Sequence, residues 1–252
     1  MTVTEALKQR ISTRAFLPKP VPENLLREIL DVARWSPSGG NLQPWKVVVV
    51  SGAAKDAVVN LAKNYPGMMP AEEGDRPVYP PNLWEPYRSR RYKIGEDLYG
   101  LLGIPRENKT ARLKQLGRNF EFFGAPVGVF FVIDERMGHG QWAHLGMFMQ
   151  SLALVAHERG VASCFQEFWG TLRITLKKHF ALADSEMIYC GMALGYADES
   201  ATVNTLRSER APVDHFRSFR FDYPPFSAVP TLPRVPCAVH LFQACHTGMI
   251  LL

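Results

Sequence analysis

Residues 34–45 read "RWSPSGGNLQPW" and join a helix-like run to a strand-like run. Upstream, apolar residues recur at the spacing of a helix; downstream, "KVVVVSG" (46–52) is a β-branched run typical of a buried strand. A plain turn needs about two to five residues. This junction is longer, and it contains Gly39, Gly40 and several hydrogen-bonding side chains between two tryptophans. The stretch therefore predicts a loop that holds a ligand.

The rest of the chain alternates helical and strand patterns. Hydrophobic spacing and turn residues predict further elements: helices over 2–10, from Pro22 onward, 53–65, 106–123, 142–160 and 171–182; strands over 125–134 and 186–197; a short strand or loop at 162–168. Residues 66–95 are proline-rich and have no clear period, which predicts a functional insert rather than a passive connection. The tail, 224–252, is apolar and proline-rich, unlike the rest.

Composition narrows the class of protein. The chain has 252 residues, 46% hydrophobic and 21% charged, which are ordinary values for a globular protein. Its net charge of +5 is spread along the chain, and the densest basic cluster, "YRSRRYK" (87–93), is short, so we expect no nucleic acid partner. There is no signal-peptide pattern and no apolar stretch of about 20 residues, so we expect a cytoplasmic protein without a membrane partner.

Two patterns imitate known sites and are rejected on their details. Gly138, Gly140 and Ala143 have dinucleotide-fingerprint spacing, but "DERM" separates the preceding strand from the first glycine, and the acidic residue Glu158 comes before the next strand instead of closing it. His139 and His144 are five residues apart, not the four that place two ligands on one helical face. The four cysteines show no metal-ligand spacing either, so we expect no metal.

The segment "RISTR" is the first of three candidate ligand-binding stretches. Arg10, Ser12 and Arg14 alternate, so in an extended segment their side chains share one face. Two guanidinium groups and a hydroxyl on one face can clamp a phosphate. The alternative is a solvated basic linker.

The other two stretches lie far apart in the chain. In the 34–45 loop, the glycines allow close approach of a flat group, and Ser38, Asn41 and Gln43 can hydrogen-bond to it; the alternative is a helix cap followed by a turn. In "NTLRSERAP" (204–212), Arg207 and Arg210 add positive charge; the alternative is a solvated loop in which Glu209 pairs locally.

Together these motifs resemble the nitroreductase family of FMN-dependent oxidoreductases. "RISTRAF", "WSPSGGNLQPW" before a valine-rich strand, and "GMALGYADESATVNTLRSERAPVDHF" carry the resemblance, which covers about residues 5–222. It implies an α+β fold in which helices flank a central, mostly antiparallel sheet. It also implies one domain over 1–223, with a lid at about 66–105 and the 224–252 tail outside the pattern. The family forms an intertwined homodimer with FMN in two interface clefts.

The resemblance also implies roles for particular residues. Arg10, Ser12 and Arg14 of one subunit would hold the FMN phosphate and ribityl chain, joined by Arg207 and Arg210. The other subunit would supply Pro37, Ser38, Gly39 and Asn41, while Gln166 and Glu167 would lie near the flavin ring. The lid and substrate residues would be Tyr87, Arg90, Arg91, Tyr92 and Phe123, with "YRSRRYK" binding an acidic substrate or the cofactor's phosphate.

The implied activity is reduction of nitroaromatic or quinone-like compounds by NAD(P)H in a ping-pong hydride mechanism. The flavin N5 carries the chemistry, so no catalytic side chain is expected. Aromatic residues of the lid and the following helix are expected to form an apolar channel for a small aromatic substrate, or else to pack in the core: Tyr79, Trp84, Tyr87, Tyr92, Phe120, Phe122 and Phe123. Three alternatives stay open: reductive dehalogenation, ene-type reduction or dehydrogenation on the same fold. A non-catalytic flavin-binding module is a fourth.

Overall fold

The computed structural model describes residues 1–66, 70, 72 and 78–220. The chain divides into two compact units, Met1–Ser208 and Glu209–Leu252. The helices described in the first unit are α1 (Val3–Gln9), α2 (Glu23–Ala33), α3 (Gly52–Lys63), α4 (Tyr87–Leu101), α5 (Lys109–Gly117), α6 (His139–Glu158) and α7 (Arg173–His179). Its strands are β1 (Lys46–Ser51), β2 (Val127–Asp134), β3 (Ala162–Gln166) and β4 (Glu186–Gly195). Short 3-10 segments include Gly39–Asn41, Arg118–Gly124, Glu167–Leu172 and Thr202–Thr205.

The four strands form one sheet in the order β1-β2-β4-β3, and every neighbouring pair is antiparallel. The predicted α+β fold with an antiparallel sheet flanked by helices is therefore confirmed. The chain near the N-terminus extends the β3 edge, because Ser12 forms a parallel bridge with Ser163. Phe16 forms a second, antiparallel bridge with Ala197. These bridges bring residues 12–16 beside the end of the sheet.

Apolar layers cover both faces of the sheet, which explains the unbroken hydrophobic run of β2. Along this strand, Val129 and Phe131 face the layer that includes α2 and α6. The alternate residues Phe130 and Val132 face the layer built from α3, Arg118–Gly124 and α7. All four side chains are buried. Since successive side chains of a strand point to opposite faces, a strand covered on both sides must be apolar at every position.

Two glycines let aromatic rings lie directly on the backbone of the sheet. A Cβ at Gly128 would stand 2.4 Å from the Phe122 ring, and one at Gly191 would stand 2.2 Å from the Trp169 ring. Phe122 and Trp169 also stack on each other, with their ring centroids 4.7 Å apart. This centre of the sheet therefore has no room for larger residues.

Two segments differ from the predicted pattern. The insert contains α4, although no helical period was predicted there; charged pairs such as Lys93–Asp97 occupy the helix, and no residue of α4 is buried, so its apolar period is weak. The helix predicted over 106–123 ends at Gly117. The chain continues as a 3-10 segment in which Phe122 and Phe123 have φ of +51° and +53°.

Other boundaries follow the predictions with shifts of a few residues at helix ends, as is usual for frayed termini. Among the described residues, no helix combines the length and apolar character needed to span a membrane. The predicted tail, 224–252, lies outside the described residues.

Candidate functional site

Hydrogen bonds to two distant parts of the chain hold residues 10–16 in an extended conformation. The Thr13 N–H donates to the Ser163 carbonyl oxygen on β3 at 3.0 Å. The Leu17 N–H donates to the Tyr196 carbonyl oxygen at 2.9 Å. The segment is thus a short strand at the sheet edge, as the alternating pattern requires.

Asn204 fixes the backbone around Arg14, and sequence reasoning missed it. Its Oδ1 accepts a hydrogen bond from the Arg14 N–H at 2.8 Å. Its Nδ2 donates to the carbonyl oxygens of Ala15 and Asp198, at 2.9 and 2.8 Å. Asn204 is buried, and it lies in the "NTLRSERAP" stretch, where only the arginines drew attention. An asparagine offers both donors and acceptors, and that property was the available signal.

The predicted residues Arg10, Ser12 and Arg14 come together around Cys164 on β3. Burial raises the pKa of the Cys164 thiol, while the charges of Arg14 and Arg10 and a hydrogen bond with Ser12 act in the opposite direction. Arg14 Nη1 donates to the Ser12 carbonyl oxygen at 3.2 Å. The first unit therefore carries a cationic cluster at this edge of the sheet.

A cavity of about 750 Å³ opens beside this cluster, within the first unit. Its inner wall consists of Arg14, Cys164, Phe165, Gln166, Glu167 and Phe168. Its outer wall includes Tyr79 and the α4 residues Arg88, Arg91, Tyr92, Ile94, Gly95, Glu96, Leu98 and Tyr99. Asn119, Phe123 and Leu206 are among the remaining lining residues. Cavities of this size hold cofactors and small organic ligands.

The inner wall carries one buried polar side-chain atom that lacks a hydrogen-bond partner in the described part of the chain. Gln166 Nε2 donates to the Asn119 carbonyl oxygen at 2.7 Å, whereas Gln166 Oε1 is buried and has no hydrogen-bond partner among the described residues. Glu167 is the next residue along this wall, and burial raises the pKa of its carboxyl group. Buried acceptors without partners are uncommon, so this wall fits a ligand that brings its own donors.

Phe123 alone of the three phenylalanines in 118–124 lines the cavity. Its backbone has positive φ, and Arg118 Nη2 donates to its carbonyl oxygen at 3.3 Å. Phe120 and Phe122 pack against Trp169 in the core, with centroid distances of 5.1 and 4.7 Å. For these two rings the core alternative is correct and the channel prediction is wrong, because the distorted backbone turns them toward the sheet.

Some of the predicted lid residues on α4 line the cavity and others do not. Arg88, Arg91 and Tyr92 share the helix face toward the cavity, as spacings of three and four residues require. Tyr87 and Arg90 do not line the cavity, and the Arg90 guanidinium lies 5.9 Å from the Tyr87 ring. Trp84 is exposed and packs edge-on against Tyr87.

Two acid–base pairs fix the charge of the outer wall. Arg112 donates to both carboxylate oxygens of Glu96, at 2.6 and 3.0 Å, and these bonds hold the pKa of the Glu96 carboxyl below its usual range. Arg88 Nε donates to Glu85 Oε1 at 2.8 Å. The Arg91 guanidinium instead stacks over the Tyr79 ring, 4.2 Å from its centroid.

The 34–45 loop is a tight turn that stands apart from the cavity. Gly40, Asn41 and Gln43 have φ of +60°, +53° and +49°. Ser38 Oγ accepts from the Gln43 N–H at 2.9 Å. A Cβ at Gly39 would lie 3.2 Å from the His144 ring, so the turn packs closely on α6. Within one chain, the predicted residues Pro37, Ser38, Gly39 and Asn41 do not line the cavity that contains Arg14.

The C-terminal arginines lie in different units. Arg207, in the first unit, donates from Nη1 to the carbonyl oxygens of Asn204 and Leu206 at 3.0 and 3.1 Å. Arg210 belongs to the second unit, where its Nη1 donates to the Glu209 carbonyl oxygen at 3.0 Å. Within the part of the chain that the structure describes, no three His, Cys, Asp or Glu side chains are grouped to hold a metal ion.

The chain is similar in sequence and in structure to known nitro-compound reductases. The chain is 41% identical over 213 residues to the 4-nitrobenzoate reductase of Pseudomonas putida, a match that covers 83% of this chain and 92% of the relative. It resembles the crystal structure of the FMN and NADPH-dependent nitroreductase NfnB from Sphigopyxis sp. strain HMH, with a TM-score of 0.81 and 38% identity, covering 88% of this chain and all of that one.

A second solved structure is the FMN-dependent nitroreductase NfnB from Mycobacterium smegmatis in complex with NADPH. Its TM-score is 0.75 at 28% identity, over 86% of this chain and 97% of that one. The model of the Nitroreductase family matches residues 7–196 of this chain. This match spans the sheet, the cationic cluster and every described cavity-lining residue except Leu206, so the protein belongs to the Nitroreductase family.

Proposed function

We propose that the protein is an FMN-dependent nitroreductase that reduces nitroaromatic compounds with NADPH. The observation that carries the proposal is a cavity of about 750 Å³ whose lining includes Arg14 of the arginine cluster and several aromatic side chains. The named activities of the relatives support it: 4-nitrobenzoate reduction in one, and FMN and NADPH dependence in the NfnB structures.

The residues present fit FMN. Arg10, Ser12 and Arg14 supply the charged and hydroxyl donors that a phosphate group requires. Gln166 supplies an acceptor, Oε1, that is buried and has no hydrogen-bond partner among the described residues. The cavity has an aromatic lining suited to a flat ring, and its volume of about 750 Å³ is within the range of cofactor sites.

When bound, FMN supplies the hydride chemistry, and the protein contributes binding, orientation and electrostatics. Arg14 and Ser12 hold the phosphate in a fixed place because their backbone is tied to β3 and to Asn204. Phe123, Tyr92 and Phe168 exclude water from the ring of the substrate. Burial raises the pKa of Glu167, so the inner wall disfavours the charged form of this carboxyl group.

We propose a homodimer in which each site is completed across the interface. The 34–45 loop stands apart from the cavity of its own chain. In the dimer, Pro37, Ser38, Gly39 and Asn41 of the partner subunit would therefore contact the flavin. Exposed apolar side chains near this turn offer an interface: Val32, Trp35, Leu42 and Met147. Arg207 and Arg210 stay predicted phosphate contacts. The free thiols of Cys164 and Cys190 are consistent with a reducing, cytoplasmic setting.

The test is to purify the protein with FMN and follow NADPH oxidation anaerobically after adding nitrobenzene or 4-nitrobenzoate. We expect a flavin absorption spectrum and oxidation that requires both FMN and the nitro compound. Arg14→Ala should lose FMN, whereas Arg27→Ala, which removes an exposed arginine paired with Glu23 on α2, should retain it. A protein that stays colourless after incubation with FMN would refute the proposal.

A further inference from the structure

We propose that the cavity selects aromatic substrates that carry a carboxylate, and that Arg91 on α4 is the residue that binds this carboxylate. The inference rests on the proposed nitroreductase function. It adds a specificity-determining residue and a chemical class of substrate.

The charged side chains that line the cavity differ in whether they have a partner of opposite charge. Five charged side chains are among its described lining residues: Arg14, Arg88, Arg91, Glu96 and Glu167. Glu96 is paired with Arg112, and Arg88 is paired with Glu85. Burial raises the pKa of Glu167, so the protein disfavours a negative charge there. The lining arginines without a carboxylate partner among the described residues are thus Arg14 and Arg91.

Arg14 and Arg91 are suited to different ligands. Arg14 lies at the inner end beside Arg10, Ser12 and Cys164, where the cluster suits a phosphate. Arg91 lies on the outer wall, on α4, a helix without any buried residue. A phosphate bound at the cationic cluster does not neutralise the charge of Arg91. A second anion that enters the same cavity therefore meets Arg91.

The Arg91 side chain stacks on an aromatic ring. Its guanidinium lies over the Tyr79 ring at 4.2 Å from the centroid, and both residues line the cavity. Stacking occupies the flat face of a guanidinium and leaves its N–H groups available for a carboxylate, which they can bind with two parallel hydrogen bonds. Tyr92 and Leu83, which also line this wall, offer apolar surface for an aromatic ring.

The helix provides a matched control in Arg90. This residue has the same side chain, is also exposed and precedes Arg91 directly, but it lies outside the cavity lining. Removing its charge changes the net charge of the helix as much as removing that of Arg91. A difference between the two variants therefore indicates a contact inside the cavity and not an effect of the net charge of α4.

The experiment compares kcat/KM for 4-nitrobenzoate with that for 4-nitrobenzyl alcohol, a neutral compound of similar size, using FMN-loaded protein and NADPH. Arg91→Gln should lower kcat/KM for 4-nitrobenzoate about 10- to 100-fold, mainly by raising KM, because a charge-assisted hydrogen bond is lost. The values for the alcohol and the KM for NADPH should change less than about twofold, as should every value in Arg90→Gln. Arg91→Lys, which keeps the charge without the fork, should restore part of the loss.

Benzoate binding gives a second readout that does not depend on turnover. Benzoate has no nitro group, so its affinity for the FMN-loaded protein can be measured by titration calorimetry. We expect binding that Arg91→Gln weakens and Arg90→Gln preserves. If this holds while no nitro compound is reduced, the proposed function is wrong, whereas the assignment of Arg91 to an aromatic carboxylate still holds.

Three results would overturn the inference. The first is equal loss for the acid and the alcohol in Arg91→Gln, which would make Arg91 part of the cavity's shape. The second is a raised KM for NADPH with unchanged 4-nitrobenzoate kinetics, which would assign Arg91 to the phosphate of the dinucleotide. The third is benzoate binding that does not respond to either substitution.

Discussion

The two walls of the cavity are built differently. Backbone hydrogen bonds fix the inner wall: Thr13 to Ser163, and Arg14 to the buried Asn204. The outer wall is α4, which has no buried residue and is joined to α5 by a side-chain pair, Glu96–Arg112. A wall fixed by buried hydrogen bonds suits a ligand that never changes, whereas an exposed helix tolerates substitution. The difference predicts that cofactor binding belongs to the inner wall and substrate choice to the outer one.

The largest expected effect tests how rigid the inner side is. Gly191→Ala would place a Cβ 2.2 Å from the Trp169 ring, beneath the inner wall. Neither the sheet backbone nor the enclosed ring can move away, so we expect a loss of about 3 kcal/mol in the free energy of unfolding. Urea denaturation followed by circular dichroism measures it.

Gly100→Ala in α4 is the matched change on the outer side. An added Cβ there meets no atom within 4 Å, and alanine favours a helix over glycine. We expect the free energy of unfolding to rise by about 0.5–1 kcal/mol. Equal losses in both variants would show that the two walls do not differ in rigidity.

The second effect concerns the hydrogen bonds that fix Arg14. Asn204→Ala leaves the Arg14 N–H and the Ala15 carbonyl without their partners in a buried place. We expect a loss of about 1–3 kcal/mol in unfolding free energy. FMN affinity should also fall, because the guanidinium is no longer held in position; thermal denaturation and fluorescence titration with FMN measure the two effects.

Thr205→Ala is the control for Asn204→Ala. It removes a neighbouring, exposed hydroxyl that donates to the Thr202 carbonyl oxygen at 2.8 Å. FMN affinity in this variant should equal that of the wild type. Unchanged FMN affinity in Asn204→Ala as well would remove Asn204 from the set of positioning residues.

The smallest effect contrasts the two glutamates of the cavity by pH. Burial raises the pKa of Glu167, so its ionisation costs stability as the pH rises above the ordinary value of about 4.3. Glu167→Gln should therefore be more stable than the wild type near neutral pH, with the difference shrinking as the pH falls toward about 4. Melting temperatures at several pH values measure this.

Glu96→Gln should behave in the opposite way. Arg112 lowers the pKa of Glu96, so this pair contributes stability that is complete above the ordinary pKa and disappears as the pH falls through the lowered one. The variant should be less stable than the wild type near neutral pH, and the gap should close in acid. Shifts of the same sign in both variants would contradict the contrast between the walls.

Much of the inner side could be predicted from the sequence because short-range patterns encode it. The β-branched run at 46–51 and the apolar run at 127–134 became strands of an antiparallel sheet. The alternation of Arg10, Ser12 and Arg14 correctly indicated an extended segment with a common face.

The remaining features depend on contacts that no local pattern records. Asn204 acts on Arg14 from 190 residues away, and the donor and acceptor groups of an asparagine do not by themselves identify so distant a partner. Phe122 and Phe123 have positive φ, and the Phe122 ring packs against Gly128 and Trp169; these distant contacts accompany the end of the helical pattern. In α4, charged pairs replace the apolar stripe that reveals most helices.

The distance along the chain between Arg14 and Asn204 also bears on protein synthesis. A ribosome releases the arginine segment first and its buried asparagine partner 190 residues later. Closing so long a loop before the intervening sheet exists is entropically unfavourable. We therefore expect nascent chains to bind a phosphorylated ligand at the Arg14 segment only after Asn204 has been synthesised.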